Sequence, residues 1–522
     1  MTESSRPLYH FHYRDLTIND EEQSNVMYKL MEIQPHKSMD YTWDDIGTSN
    51  LMMDAWGDSM RFSPQNRSWY IWTGTQWARQ ELGNTAHDRL ATLLTLLLHY
   101  CKEQTWFVEN DERLSKSEKE DETAVIASYA KYVRSIRKYH AMEAINKELM
   151  TSCVMNLREM DTNPYILNTR NQAYDLRTGE VVDDISGLNI TKRANTYIPA
   201  DGLDPLCDRW YQFIDEIMSH DKEKAAFLQR ALGYSLLGVN KEECMFIAYG
   251  SKSRNGKGTL FNAVEKALGE DYIRASAPDL ILEKRGGGST DFNSPQPALA
   301  SLVGSRIVSM SESDRGQRLH AGAMKAMTGR DTLTVRGLYE APFRFSPEFT
   351  LWLNTNYLPA ITDDTVFLSN RIWVIEFNEH FDEGTRDMNL KELFTADENR
   401  PTILKWLLDG AIDYCQHGLN PPDCVRKATA NYRRLHDRIG SFMEDCCVEK
   451  HGEKVKRSDL YRVYRQWCNR EDNRFTPIGS STFYEEMMVR GHGAIKSNGD
   501  YMVQDLMIKE EALNMRVNRI PL

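Results

Sequence analysis

The spacing of hydrophobic and polar positions changes several times along this chain, and each change marks a different kind of element. Residues 1–48 are mostly polar, lack a clear period, and read as an N-terminal tail or arm. From Leu51 large aromatic residues crowd together: Trp56, Phe62, Trp69, Tyr70, Trp72 and Trp77, with turn formers at Ser63-Pro64 and Thr73-Gly74. The alternation in Ser68–Trp72 predicts a small hairpin, and rings of this size serve a local core. Leu90–Leu98 is the most apolar stretch of the chain. Its spacing predicts a buried helix, and it is far shorter than the roughly 20 residues that cross a bilayer. Helical patterns fill residues 85–160, divided by a charged run from Glu109 to Glu122 that reads as a solvated loop or helix face. Pro, Asn and Gly then punctuate a turn-rich β region at 161–179, and helix returns at 206–238.

Between residues 243 and 377 short apolar runs alternate with helical stretches. Met245–Tyr249, Arg306–Met310, Thr350–Leu353 and Ile372–Phe377 are the predicted strands, and the alternation implies an α/β core with a central sheet. A helical stretch follows at 387–418. The final segment reads as three helices and then two strands about Asn498-Gly499. These breaks divide the chain into an arm (1–48), a mixed α+β N-terminal domain (49–240), an α/β core (241–380), a helical connector (381–430) and a C-terminal domain (431–522).

Composition narrows the class. With 41 % hydrophobic and 27 % charged residues over 522 positions, the chain is an ordinary globular protein, which excludes wholesale disorder and a disulfide scaffold. Its nine cysteines include no Cys-x-x-Cys pair, which removes the usual zinc spacings. The first residues lack the basic patch and apolar core of a secretory signal. Reduced thiols, a cytoplasmic location and no membrane are the resulting expectations. A net charge of −12 excludes a purely electrostatic nucleic-acid coat, yet allows DNA contacts where positive charge is gathered locally.

The sharpest chemical signal is Tyr249-Gly250-Ser251-Lys252-Ser253-Arg254-Asn255-Gly256-Lys257-Gly258-Thr259, which follows a predicted strand and opens a helix. That is the context of a phosphate-binding loop: glycines let several N–H groups face one anion, and the helix N-terminus adds positive charge. Gly250, Asn255, Gly256, Lys257, Gly258 and Thr259 are the candidate nucleotide contacts, with Lys257 reaching the β- and γ-phosphates. The spelling departs from the common one in two places. The spacer before Gly256 is one residue longer, and Gly258 stands where a Ser or Thr usually holds magnesium, leaving Thr259 one position late.

Four further features follow in order. Arg306–Ser311 leads into Glu312, a carboxylate suited to magnesium and to orienting the attacking water, with Asp314 in reserve. Leu333, Val335, Phe343 and Phe345 frame a predicted hairpin whose tip offers Arg336 and Tyr339, a cation and a ring for a nucleic-acid strand. Leu351–Asn356 ends a strand with Asn356, an amide that can sense the γ-phosphate; Asn354 reads as a turn residue. Ser369-Asn370-Arg371 precedes the last strand, and Arg371 is a candidate finger on a neighbouring subunit's nucleotide.

This order of loop, acid, hairpin, amide and arginine resembles the superfamily 3 helicases, and most closely the poxvirus-type and satellite-phage-type primase-helicases of phages, plasmids and other mobile elements. Leu338–Phe345, Asn354–Pro359 and Ser369–Trp373 fit the resemblance, as do Gly57–Phe62, Trp69–Trp77 and the segments near Asn163-Pro164 and Asp175–Gly179. The resemblance implies an AAA+-like P-loop ATPase core, a helicase-associated N-terminal domain, ATP with Mg2+, a homo-oligomer that is most often a hexamer, and 3′-to-5′ movement on single-stranded DNA. Larger relatives add a primase domain. Fewer than fifty residues precede the resemblance here and contain no Asp-x-Asp pair, so the chain reads as the helicase half, with a separate primase or polymerase as partner.

Residues 425–522 hold 18 Lys and Arg against 14 Asp and Glu, a locally basic end to an acidic chain. Ser458 is placed to cap a helix over Asp459–Arg470, and Ser480 or Ser481 one over Thr482–Arg490. Ile495–Val503 forms a two-stranded wing. This is a winged-helix pattern, and related proteins often end in one. Thr482, Tyr484, Arg490 and Lys496 are its candidate contacts to duplex DNA, including an origin; a protein-docking role for the same fold stays open. Three functions remain open as well: an ATP-driven helicase, an origin-melting or loading ATPase, and a DNA-binding regulator with a vestigial ATPase.

Overall fold

The computed structural model describes residues 20–80, 85–200, 207–283, 295–311, 317–337, 341–361, 366, 369–384, 387–470, 477–497 and 499–513. Contacts divide the chain into two units, residues 1–175 with 179–197, and residues 176–178 with 198–522. None of the described helices is long and apolar enough to cross a membrane.

The first unit is built on helices α1 (Asp20–Ile33), α2 (Asp45–Trp56), α3 (Thr85–Asn110), α4 (Lys116–Ile136) and α5 (Tyr139–Ser152). Strands β1 (Met60–Ser63), β2 (Ser68–Trp72) and β3 (Trp77–Arg79) form one antiparallel sheet, and β4 (Ile166–Asn168), β5 (Ala173–Asp175) and β6 (Val181–Val182) a second. The predicted apolar helix lies within α3, where Leu90, Leu93, Leu94 and Leu97 make one buried stripe. A capping box starts α4, with Ser115 accepting from the Glu118 N–H while the Glu118 carboxylate accepts from the Ser115 N–H. The charged run is thus the end of α3, a short exposed loop and the first turns of α4. The expected arm does not extend through residue 48. Asp20–Ile33 is a helix whose Val26, Met27 and Leu30 are buried in the same core as α3. The aromatic stretch packs as expected, though it splits between two clusters: Phe62 and Trp69 join the helical core, while Tyr70 and Trp77 pack with Met155.

In the second unit α6 (Asp208–Ile217) and α7 (Lys222–Leu236) precede strand β7 (Met245–Tyr249) and helix α8 (Lys257–Leu268). Then come β8 (Ile273–Ser276), α9 (Pro297–Ala300), β9 (Ile307–Ser311), α10 (Ala321–Thr328), β10 (Leu333–Val335), β11 (Phe343–Phe345), β12 (Thr350–Thr355) and β13 (Ile372–Glu376). Five strands make one parallel sheet in the order β13-β7-β12-β9-β8. All four predicted strands are in it, within a residue or two of the expected ends, and β8 is an addition. Strands buried on both faces read as short apolar runs, as Met245–Tyr249 and Thr350–Thr355 do. The predicted hairpin also forms, with Leu333 opposite Phe345 and Val335 opposite Phe343.

Helices α11 (Leu390–Thr395), α12 (Arg400–His417) and α13 (Asp423–His436) occupy the expected connector. They belong to the body of this unit rather than to a spacer. Ile403, Leu404, Leu407 and Ala411 of α12 are buried, Arg230 of α7 pairs with Asp413 at 2.9 Å, and Tyr432 of α13 joins the sheet's core. For the same reason α6 and α7, expected in the N-terminal domain, fall in the second unit.

The C-terminal module holds α14 (Arg438–Cys446), β14 (Cys447–Lys456), α15 (Arg457–Cys468), α16 (Ser480–Val489), β15 (Ala494–Ser497), β16 (Asp500–Ile508) and α17 (Glu510–Leu513). The two strands expected near the C-terminus pair as β15 with β16, and β14 adds a third strand on the far side of β16. Both serines expected as caps lie inside their helices instead. The chain turns helical at Arg457 and at Ser480, so Lys456 and Gly479 hold the cap positions.

Candidate functional site

The parallel sheet brings the candidate nucleotide contacts to one edge. Tyr249 at the end of β7 is level with Thr355 of β12 and Glu376 of β13, and Asn354 is level with Ser311 of β9. The loop from Gly250 to Gly256 leaves this edge and enters α8. It is pinned from both sides. The Gly250 N–H donates to the Thr355 carbonyl at 3.2 Å, the Phe381 N–H donates to the Arg254 carbonyl at 2.9 Å, and His380 Nδ1 donates to the Ser253 carbonyl at 2.7 Å.

Two glycines are fixed by geometry. Gly256 has φ +86°, and a Cβ there would sit 2.3 Å from Ile217 Cγ2. At Gly250 a Cβ would come 2.1 Å from Asn255 Nδ2 and 2.9 Å from Lys257 Nζ. Gly250 therefore makes room for the two polar groups that the loop turns inward. Asn255 Nδ2 donates back to the Lys252 carbonyl at 2.7 Å, holding the turn. Gly258 is under no such constraint, since a side chain there would meet open space.

Lys257 is the centre of the arrangement. Its side chain is only 7 % exposed, and its Nζ donates to Asn356 Oδ1 at 3.0 Å. Burial lowers its ammonium to about 8. The amine and the amide, 99 positions apart in sequence, meet because β7 and β12 are neighbours. Asn354 is not a turn residue. It lies within β12, with Nδ2 donating to Ser309 Oγ at 3.2 Å and a buried Oδ1 that has no hydrogen-bond partner among the described residues.

Beside the loop lies a cavity of about 300 Å³, floored by Gly256, Gly258 and Thr259. Phe213, Phe381, Met388 and Leu390 supply its apolar wall, and Arg209, Arg254 and Lys391 with Glu216 and Asp387 its charged rim, where Arg209 pairs with Glu216 at 3.0 Å. Sequence reasoning missed this wall. The residues come from segments more than 160 positions apart, and no local pattern joins them.

The other candidates are placed as follows. Glu312, Asp314 and Tyr339 lie outside the described residues; β9 ends one position before Glu312, and Arg336 is exposed at the end of β10. Among the described residues no group of three or more His, Cys, Asp or Glu could hold a metal ion. Arg371 is not brought to the loop. It stands at the opposite edge of the sheet, its carbonyl accepting from the Met245 N–H. Five strand residues, about 16 Å, separate it from the loop end of β13. There its Nη2 meets Glu243 Oε2 at 2.8 Å and its Nη1 donates to Thr328 Oγ1 at 3.0 Å.

In the C-terminal module Thr482 and Lys496 are exposed, whereas Tyr484 and Arg490 spend their polar groups internally. The Tyr484 hydroxyl donates to the Arg457 carbonyl, and the Arg457 guanidinium lies 3.8 Å from the centre of its ring. Arg490 Nη2 donates at 2.9 Å to Asp437 Oδ1, the oxygen that caps α14 through the Gly440 N–H at 2.7 Å. Arg490→Ala is therefore expected to destabilise this module by about 1–3 kcal/mol, because a mostly buried carboxylate loses its cation. Thermal and denaturant unfolding check this; an unchanged unfolding profile with lost duplex binding would make Arg490 a DNA contact instead.

Comparison with known proteins adds three segments and two relatives. Residues 49–219 match the family "D5 N terminal like", 248–371 a family of unknown function, and 435–489 the family "Poxvirus D5 protein-like". The helicase-named protein L207/L206 of Acanthamoeba polyphaga mimivirus is 28 % identical over 425 residues, 78 % of this chain and 43 % of that protein. The helicase-named protein 022R of Frog virus 3 (isolate Goorha) is 28 % identical over 265 residues, 48 % of this chain and 27 % of that protein. The matched stretches are less than half the length of both relatives. The apo structure of the NrS-1 C-terminal region (305–718) superposes with a TM-score of 0.41 and 13 % identity, over 60 % of this chain and 78 % of that one.

Proposed function

Because the chain belongs to the D5-type primase-helicase family, we propose that it is an ATP-dependent DNA helicase acting in replication of a virus or other mobile element. The observation that carries this reading is the buried Lys257 amine, held against Asn356 at the mouth of a glycine-shaped loop. A desolvated ammonium whose neighbour is a neutral amide is prepared to receive an anion. In this reading the 250–256 loop and the first turn of α8 form a P-loop, within an AAA+-like core that the strand order β13-β7-β12-β9-β8 suits.

The residues divide the work. The loop N–H groups and Lys257 bind the β- and γ-phosphates, and the apolar wall of Phe213, Phe381 and Met388 takes the base. Asn356, already bonded to Lys257, orients the γ-phosphate and the attacking water. The Thr259 hydroxyl and Glu312 are the oxygens that would hold Mg2+, which would supply charge neutralisation at the phosphates. A magnesium site of this kind keeps several waters and needs few protein ligands, so it requires no cluster of carboxylates. Arg371 lies too far from its own loop to touch that nucleotide and is assigned to a neighbour's, within a homo-oligomeric ring, most often a hexamer. Arg336 and Tyr339 grip single-stranded DNA, with 3′-to-5′ movement. The C-terminal module is assigned as a winged helix that meets origin duplex DNA through Thr482 and Lys496. A separate primase or polymerase completes replication.

The experiment is ATP hydrolysis with and without single-stranded DNA. A helicase is expected to be stimulated by the strand, a loading ATPase to turn over without coupling to it, and a regulator not to turn over.

The amine's low pKa makes a second test. A phosphate beside Lys257 favours the charged form and raises its pKa from about 8. Nucleotide binding above pH 8 should therefore take up protons, and below pH 7, where Lys257 is already charged, this uptake should vanish. Without nucleotide the sign for folding is the reverse of a salt bridge: the burial penalty is fully present below pH 8 and relieved as pH rises through the lysine's ordinary range. Calorimetry of nucleotide binding in buffers of different ionisation heat reads the uptake directly; zero uptake at pH 8.5 would mean that no phosphate sits at Lys257.

A further inference from the structure

A second groove lies away from the loop, between helix α13 and the outer face of edge strand β13. It encloses about 470 Å³ and is lined by Arg426, Thr429 and Arg433 of α13, by Trp373 of β13 and by Asn370. No carboxylate is among its described lining residues. Arginines without an ion pair occur elsewhere among the described residues, Arg254, Arg306 and Arg457 among them, so what marks this groove is two guanidiniums placed beside one indole. Arg371, Arg230, Arg400 and Arg490 each meet a carboxylate within 3.0 Å. Arg426 and Arg433 have no ion pair among the described residues. Arg426 is exposed, and its Nε donates to the Pro421 carbonyl at 2.8 Å.

Helix stability does not account for this pattern. Arg433 in the last turn suits the helix dipole, but Arg426 sits near the N-terminal end, where a cation opposes it. The spacing of seven residues puts both guanidiniums on one side of the helix, about 10 Å apart along its axis. Repeat charges on a nucleic-acid strand are closer than that, so the pair spans about two to three phosphates. Trp373, half-buried on β13, presents the flat apolar surface on which a base stacks. Guanidiniums without carboxylates beside one indole match an anion with flat aromatic parts.

We propose that the groove between α13 and β13 is a binding track for single-stranded nucleic acid, with Arg426 and Arg433 on phosphates and Trp373 against a base. It is distinct from the hairpin of Arg336 and from the C-terminal module, and it does not depend on the nucleotide loop.

The test is fluorescence anisotropy of a labelled oligo-deoxythymidine with the full chain, without nucleotide, across a series of salt concentrations. The double variant Arg426→Ala with Arg433→Ala is expected to bind at least about tenfold more weakly at low salt. Its slope of log affinity against log salt should fall by about 1.4, the share of two single-strand phosphate contacts. Trp373→Leu should weaken binding by about tenfold with an unchanged slope. Arg433→Lys, which keeps the charge, should retain most of the affinity that Arg433→Gln loses, and this pair serves if the double variant does not fold. Sedimentation of the same samples should show unchanged mass, and hydrolysis of ATP without DNA should stay within about twofold of the parent. Unchanged affinity and slope would overturn the proposal. So would a changed assembly mass with equal affinity per assembly, which would make the groove a contact between copies, and so would weakened binding of a free mononucleotide in place of the strand. If the parent chain proves to have no ATPase at all, the function proposed above fails while the oligonucleotide series still reads the groove.

Discussion

Alanine at position 257 is expected to lower ATP hydrolysis by at least about 10²–10³-fold and to weaken nucleotide binding with it. The reason is geometric. Lys257 is the buried ammonium beside Gly250 and Asn356, whereas Arg209, Arg254 and Lys391 stand at the rim of the adjoining cavity. Folding should survive the change, since the substitution removes a desolvated charge rather than a packed apolar group. Phosphate release under saturating ATP and titration with a fluorescent nucleotide check the two halves. Full hydrolysis in the variant would reduce the loop to an ordinary turn between strand and helix.

Arg371→Ala is expected to leave nucleotide binding nearly intact and to remove most hydrolysis, by about 10³–10⁵-fold if it acts as fingers do in other phosphoryl-transfer proteins. The ion pair with Glu243 is a competing use of the same side chain. Two arms separate the uses. Glu243→Gln removes the pair's charge but keeps Arg371, so a finger role predicts near-parent hydrolysis and a structural role predicts a loss like that of Arg371→Ala. Mixing inactive Lys257→Ala with inactive Arg371→Ala chains should restore part of the activity, because some interfaces then join an intact loop to an intact arginine. Exchange of subunits is shown first by co-purifying two tags. No rescue at any ratio after exchange would give Arg371 a role within its own chain.

The sequence made the loop and the strands around it legible for a physical reason. A parallel strand buried on both faces must be a short unbroken apolar run, and a phosphate loop must begin where such a run stops, so Met245–Tyr249 and Gly250 identify each other. The meeting of Lys257 with Asn356 depends on strand order, which no local pattern encodes. β8 was missed because Ile273–Ser276 is an edge strand with one fully buried side chain and no alternation to follow. α1 was missed because its buried apolar residues are only Val26, Met27 and Leu30, set beside the buried polar Gln23 and Ser24, and its packing partners lie in α3. Tyr484 and Arg490 looked like free surface groups because their partners, Arg457 and Asp437, come from earlier elements of the same module.

The central claim is that ATP held on this loop drives separation of DNA strands. The most direct measurement is displacement of a labelled strand from a short duplex, with a single-stranded tail on the 3′ or the 5′ side, in the presence of ATP and Mg2+. The account predicts displacement from the 3′-tailed substrate, none without ATP, and none by the Lys257→Ala chain. Steady ATP hydrolysis by the parent chain with no displacement from either substrate would contradict it.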